Sequence, residues 1–117
     1  MFESGTSIKV TSMVLVYLVQ KLPTTFPAQV LISVPKKIYR KAHDRNRVKR
    51  LMREGYRKNK GIHYAVLEEQ NLQAAVLIIF TGRTLPDAPY VHGKIKELLL
   101  RFASVISKTS SISHAKD

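Results

Sequence analysis

The apolar residues of the chain fall into blocks of strand length, separated by polar or proline-containing segments. Residues 8–20, IKVTSMVLVYLVQ, are rich in Val, Ile, Thr and Tyr, which favours a β-strand. Residues 28–34, AQVLISV, predict a second strand after the loop KLPTTFP. Because so short a loop cannot make the crossover that a parallel pair needs, the two strands are predicted to be antiparallel.

A third apolar block, AAVLIIF at 74–80, contains no polar residue, which predicts a strand buried on both faces. Two other segments, 42–58 and 90–107, have apolar residues at helical spacing instead. The order β, β, α, β, α indicates an α+β fold, with helices packed on a small sheet in a single-domain α-β sandwich.

Length and composition fit one folded domain. A hydrophobic fraction of 44% in 117 residues is enough for one core, which we assign to residues 1–107, with 108–117 as a disordered tail. The longest apolar run, MVLVYLV, is too short to span a membrane, and no secretory signal pattern is expected. The chain has no cysteine, which excludes disulfide chemistry and is compatible with a reducing cytoplasm.

The formal net charge of +12 is concentrated in one segment. Residues 36–60 hold twelve of the twenty Lys and Arg residues, and only Asp44 and Glu54 oppose them. A charge gathered in this way predicts a surface that binds a polyanion. Nucleic acid is the leading partner, and an anionic membrane is the alternative.

The predicted helix at 42–58 separates its apolar residues from its basic ones. At 100° per residue, one arc holds Val48, Leu51, Met52, Gly55 and Tyr56. The opposite arc holds Asn46, Lys49, Arg50, Arg53 and Arg57. Neighbouring cations destabilise an isolated helix, whereas ordinary solvated faces alternate Glu with Lys, so the pattern favours an anionic partner. The narrow apolar arc lacks Trp and Phe, which disfavours binding to a membrane. The glycine on this arc, Gly55, predicts that the helix closely approaches a strand.

Two motifs in the basic segment resemble the signature of the bacterial ribonuclease P protein family. SVPKK at 33–37 is followed by DRNRVKRLMREGYR at 44–57, and the family is marked by Ser-Val-x-Lys-Lys and then Arg-Asn-Arg-x-Lys-Arg. The opening MFESGTS resembles the segment that closes the family's N-terminal helix, so most of that helix is expected to be missing. The resemblance covers roughly residues 1–107.

The resemblance implies a ribosomal-protein-like fold with a left-handed βαβ crossover. It also implies a cytoplasmic protein subunit that binds a catalytic RNA and assists removal of the 5′ leader from precursor tRNA. The partners would be ribonuclease P RNA and precursor tRNA, with no DNA and no membrane, and magnesium would be held chiefly by RNA. The protein alone is expected to have no catalytic and no metal-binding residue.

The residues expected to bind RNA belong to the basic segment: Lys36, Lys37, Arg40, Lys41, Arg45, Asn46, Arg47, Lys49, Arg50, Arg53 and Arg57. Contacts to the tRNA leader are expected of Phe2 and Tyr17. Because Tyr17 lies inside an apolar run, its residue pattern favours the core.

Other functions remain open from the residues alone. A general RNA-binding or ribosome-associated module would share the basic segment without needing a cognate ribozyme. A metal-dependent nuclease would need clustered carboxylates, which eight scattered acids do not supply. A DNA-binding helix is weaker still, because no second helix stands at helix-turn-helix spacing. The histidines have no partner at metal-ligand spacing and are expected at the surface or boundary: His43, His63, His92 and His114.

Overall fold

The computed structural model describes residues 6–23 and 25–116, with side chains through Ser107. Within these residues the chain forms four strands and three helices. In chain order they are β1 Thr6–Val10, β2 Met13–Val19, β3 Ala28–Ser33, α1 Ala42–Asn59, α2 Gly61–Glu69, β4 Ala74–Phe80 and α3 Ala88–Lys116. The architecture is the predicted α+β fold, a four-stranded mixed sheet packed on helices.

The block predicted as one strand at 8–20 is a hairpin of β1 and β2. The two strands are antiparallel and connect through Thr11 and Ser12, and Ser12 has a φ of 71°. The turn is held from outside, because the Thr81 amide donates to the Ser12 carbonyl at 2.8 Å and the Ser12 hydroxyl bonds the Tyr90 hydroxyl at 2.9 Å. The sequence did not reveal this turn because it lacks the Gly or Asn that usually occupies a positive φ.

The antiparallel pairing predicted between the first two strand blocks is wrong. The strand order is β1-β2-β4-β3, so β4 lies between β2 and β3, antiparallel to the first and parallel to the second. The chain passes from β3 to β4 through α1 and α2, which is a βαβ connection of the kind the resemblance implies. Its left-handed sense stays a prediction.

The helices cover one face of the sheet and form the core with it. Six residues of β2 and β4 that face them are at most 8% exposed: Met13, Leu15, Tyr17, Val76, Ile78 and Phe80. From α1 the core receives Val48, Leu51 and Met52, which confirms the predicted apolar arc. From α3 it receives Val91, Ile95, Leu98, Leu99, Phe102 and Ile106.

The opposite face of the sheet is apolar along its two central strands and only partly covered in the described part of the chain. Strand pairing sets Val16, Leu77 and Leu31 side by side across three strands. Val16 and Leu77 are half-buried, and Leu31 is 58% exposed. On this face, which we call the open face, the prediction that 74–80 is buried holds for Ala75 but not for Leu77 and Ile79.

The sequence analysis contains no counterpart of α2, which begins at Gly61, directly after α1. The helix α1 does end at Asn59, whose side-chain amide donates to the Gly55 carbonyl at 2.9 Å. The chain then continues directly into α2, which buries His63 and Leu67. The expectation that His63 lies at the surface or boundary is wrong, since its side chain is fully buried.

The last helix begins two residues before the predicted start at 90. Asp87 caps it, because its carboxylate accepts a hydrogen bond from the Tyr90 amide at 3.0 Å. The helix runs past the predicted end at 107 to Lys116. Since side chains 108–117 lie outside those described, the disordered tail stays a prediction.

Gly55 lies where α1 and α3 approach each other, not where α1 approaches a strand. A Cβ added there would lie 2.9 Å from Cδ2 and 3.2 Å from Cα of His92. Alanine would add about 1 kcal/mol of helix propensity, but overpacking costs about 1–3 kcal/mol. We therefore expect Gly55→Ala to lower the free energy of unfolding by up to about 2 kcal/mol in urea titrations.

The matched control for this substitution is Gly93→Ala in α3, where a Cβ meets nothing within 4 Å. This variant is expected to gain about 0.5–1 kcal/mol, because only the propensity term acts. A gain of the same size in both variants would show that α1 and α3 can separate without loss.

Candidate nucleic-acid interface

The helix α1 turns one side to solvent, and the exposed residues of that side are Asn46, Arg47, Arg50, Arg53 and Arg57. We call these five residues the α1 basic face; Lys49, predicted with them, is half-buried. Among the described side chains, the ion pairs join Glu97 to Lys94 and Arg101 on α3, and neither acid of α1 takes part in one. The charge of the α1 basic face is therefore not neutralised by those acids.

The 35–41 loop extends this basic surface beyond the start of α1. It connects β3 to the helix and exposes four cations: Lys36, Lys37, Arg40 and Lys41. Tyr39 anchors the loop, because its buried ring stacks on Phe80 with 6.2 Å between centroids. Its hydroxyl donates to the Thr84 carbonyl at 2.6 Å. Burial raises the pKa of Tyr39, which keeps that hydroxyl protonated as a donor.

Arg45 differs from the arginines of the α1 basic face. It is half-buried, and its Nη1 donates to the carbonyls of Tyr39 at 2.9 Å and Arg40 at 2.8 Å. Its guanidinium is thus bonded to the loop that precedes its own helix. The other predicted RNA-binding cations have no such bond to the protein among the described residues.

Two shallow depressions adjoin the basic surface. One, of about 660 Å³, separates the α1 basic face from Asp87 and Ala88 at the start of α3. The other, of about 630 Å³, lies against Ile79 of the open face and has Lys37 and Arg83 in its lining. Sequence reasoning missed Arg83. The available signal was a single cation in the loop TGRTLP, directly after the strand that proves central.

The two aromatic residues considered for leader contacts differ in their outcome. Phe2 lies outside the described residues. Tyr17 is 8% exposed and packs edge-on against Phe102, with 4.8 Å between centroids. This agrees with the core position that its surrounding residues favoured. Because the ring faces the helices and not the open face, we do not retain Tyr17 as a leader contact.

No group of three or more His, Asp or Glu side chains among those described, in residues 6–23 and 25–107, is placed to hold a metal ion. No helix in the described part of the chain is long and apolar enough to cross a membrane. His43, at the start of α1, is exposed and lines the depression beside the α1 basic face.

The sequence is similar to ribonuclease P proteins both in a family model and in individual relatives. The model of the Ribonuclease P family matches residues 1–103. The chain is 37% identical over 83 residues to a ribonuclease P protein component of Porphyromonas gingivalis, with 71% of this chain and 61% of that protein aligned. It is 42% identical over 114 residues to the ribonuclease P protein component of Chlorobaculum tepidum, covering 89% of this chain and 73% of that protein. The chain thus spans about three fifths of the Porphyromonas protein.

Solved structures show the same fold. The RNase P protein of Thermotoga maritima, in complex with 1-(4-fluorophenyl)-2-thiourea, superposes with a TM-score of 0.67 at 26% identity, covering 86% of this chain and 88% of that one. A mutant RNase P protein of Staphylococcus aureus superposes with a TM-score of 0.63 at 19% identity, covering 84% and 75%, and supports the fold alone. The sequence match over residues 1–103, together with these shared folds, establishes that the chain belongs to the Ribonuclease P family.

Proposed function

We propose that this chain is the protein component of ribonuclease P in the bacterial cytoplasm. It binds the catalytic RNA and precursor tRNA and assists removal of the 5′ leader. The observation that carries the proposal is the cationic surface formed by the 35–41 loop and the α1 basic face. These cations form no ion pair among the described residues, in a chain whose family is ribonuclease P.

The role proposed for the protein is electrostatic. Substrate and catalytic RNA both carry closely spaced phosphates, which repel each other as the two molecules approach. Cations placed between them neutralise part of that charge and release bound counterions, which favours association at low salt. Arginine suits this surface because its planar guanidinium can bond two phosphate oxygens at once. The RNA supplies the chemistry and chiefly holds the magnesium.

The residues proposed to contact RNA are those exposed on the surface described above. They are Lys36, Lys37, Arg40, Lys41, Asn46, Arg47, Arg50, Arg53 and Arg57, with the half-buried Lys49 at the margin. Arg83 is added to them, because it and Lys37 line the same depression. Arg45 is not included, because its guanidinium is bonded to the Tyr39 and Arg40 carbonyls.

For the single-stranded leader, we propose the open face of the sheet. Its central row of Val16, Leu77 and Leu31 offers apolar contact to bases, and Lys37 and Arg83 at its margin suit the leader phosphates. Aliphatic side chains cannot stack on bases as aromatic rings do, so the contact is expected to discriminate little between base types.

The proposal predicts that the chain restores correct 5′ cleavage of precursor tRNA by a bacterial ribonuclease P RNA at low magnesium. Its cations substitute there for part of the screening that high magnesium provides. Cleavage is measured on gels with RNA alone, protein alone and both together, and protein alone is expected to cut nothing. Cleavage by the protein alone that a chelator abolishes would instead indicate a metal-dependent nuclease. Equal competition by an unrelated structured RNA would indicate a general RNA-binding module.

A further inference from the structure

We infer that Arg45 is a positioning residue and not an RNA contact. Together with Tyr39 it holds the 35–41 loop in place, and so determines where Lys36 and Lys37 stand relative to the α1 basic face. Its consequence for RNA rests on the function proposed above. The claim that Arg45 orders the loop does not depend on that function. The claim about the loop and the claim about RNA binding can therefore be tested separately.

The guanidinium of Arg45 is bonded to the preceding loop at two places. One nitrogen, Nη1, bonds two successive loop carbonyls, those of Tyr39 at 2.9 Å and Arg40 at 2.8 Å. Bonds from a charged donor are stronger than neutral ones, and two of them from one half-buried guanidinium fix its orientation. A side chain held in this way is not free to follow a phosphate.

The start of α1 has no side-chain cap of its own. Its N-cap residue, Lys41, makes no side-chain capping bond to the helix. Within the loop, the Ile38 amide donates to the Pro35 carbonyl at 3.1 Å. Arg45 bonds the two residues between that turn and the N-cap, and thereby joins the loop to the first turns of the helix.

Tyr39 connects the 35–41 loop to the segment that follows β4. Tyr39, whose carbonyl Arg45 bonds, also donates its hydroxyl to the Thr84 carbonyl and stacks on Phe80. We call the contacts of Arg45 and Tyr39 the bracket. The bracket links the loop that carries Lys37 to the loop that carries Arg83, and these two cations line one depression. Loosening the bracket therefore changes their spacing.

Arg47 provides a matched comparison on the same helix. It carries the same charge two residues further on, it is exposed, and it bonds no carbonyl among the described residues. If both arginines served as RNA contacts, their replacement by glutamine would have equivalent effects. If the bracket acts as inferred, only the replacement of Arg45 loosens the 35–41 loop.

The structural part is tested without RNA, by amide hydrogen exchange of the intact chain. In Arg45→Gln, and to a smaller extent in Tyr39→Phe, we expect exchange of the Ile38 amide, which donates to the Pro35 carbonyl, to accelerate by about tenfold while β4 stays protected, as for a local opening. In Arg47→Gln the loop is expected to exchange at the wild-type rate. Unchanged loop exchange in Arg45→Gln overturns the inference.

The consequence for RNA is tested by combining each change with Lys36→Gln and Lys37→Gln, using a bacterial ribonuclease P RNA as the probe. A residue that acts through those lysines loses its effect when they are gone, whereas an independent contact keeps it. We expect Arg45→Gln to weaken RNA binding in the wild-type protein. In the protein that already lacks Lys36 and Lys37, we expect it to change the affinity by less than about twofold. Arg47→Gln should weaken binding by the same factor in both.

If Arg45→Gln weakens RNA binding just as much in the protein that lacks Lys36 and Lys37, the positioning role is overturned and Arg45 is a direct contact. Absence of salt-sensitive binding by the wild-type chain would refute the proposed function instead. The exchange experiment would still decide whether the bracket exists.

Discussion

Replacing Arg47, Arg50 and Arg53 together by glutamine is expected to weaken binding to ribonuclease P RNA by on the order of a thousandfold at low salt. Each hydrogen bond to a charged group contributes about 1.5 kcal/mol at the lower end of its range, and three such losses correspond to that factor. The slope of log affinity against log salt should also fall by about three. Filter-binding titrations at several salt concentrations measure both quantities.

The substitutions are chosen to spare the fold. All three side chains are exposed, and glutamine has nearly the helix propensity of arginine. Circular dichroism should therefore be unchanged. The matched control replaces Lys9, Lys21 and Lys96, which are exposed elsewhere, with the same loss of three charges. A control that loses as much affinity would mean that RNA responds to total charge and not to the α1 basic face.

The free energy of unfolding is expected to fall by about 3 kcal/mol as the pH drops from 6.5 to 4, because of His63. This side chain is fully buried among three helices, with Tyr56 from α1 and Phe102 from α3 beside its ring. Burial lowers the pKa of His63 to about 4, against the opposing effect of the Lys60 carbonyl.

The direction follows from comparing the two states. Above pH 6.5 the imidazole is neutral in both, so it contributes no pH dependence. Between 6.5 and 4 the unfolded chain binds a proton that the folded chain does not, and each pH unit costs about 1.4 kcal/mol. The loss is complete only below the folded pKa.

Urea denaturation at pH 7 and at pH 4.5 measures this effect. In His63→Leu combined with Tyr56→Phe, which removes both partners of the 3.2 Å contact, the difference between the two pH values should shrink. The exposed His43→Gln is the control and should keep the wild-type difference. An equal pH dependence in all three proteins would assign the acid sensitivity to other groups.

The local features of the fold could be predicted from sequence. The two faces of α1 follow from the period of the helix, because each residue's direction depends only on its neighbours along the chain. The block at 74–80 was identifiable as a strand because it is too short for a typical helix and is rich in Val, Ile and Phe. Strand order could not be predicted in the same way. Whether 28–34 pairs with β2 or with β4 depends on residues more than forty positions away.

The division of roles within the basic segment was also beyond the sequence. Arg45 and Arg47 look alike in the motif, and only the folded position of the Tyr39 and Arg40 carbonyls distinguishes them. His63 was misplaced for a similar reason. A single histidine in a short helix carries no signal of burial until α1 and α3 enclose it.

The central position of β4 has a consequence for how the chain is made. β1 and β2 can close as a hairpin early in synthesis, but β3 has β4 as its neighbour in the sheet and must wait for it. The segment 36–60 therefore leaves the ribosome before the strand that completes the sheet beneath it. Such long-range pairing raises the contact order and slows folding. Until β4 is added, the nascent chain carries these basic residues without the completed sheet that fixes their positions relative to one another.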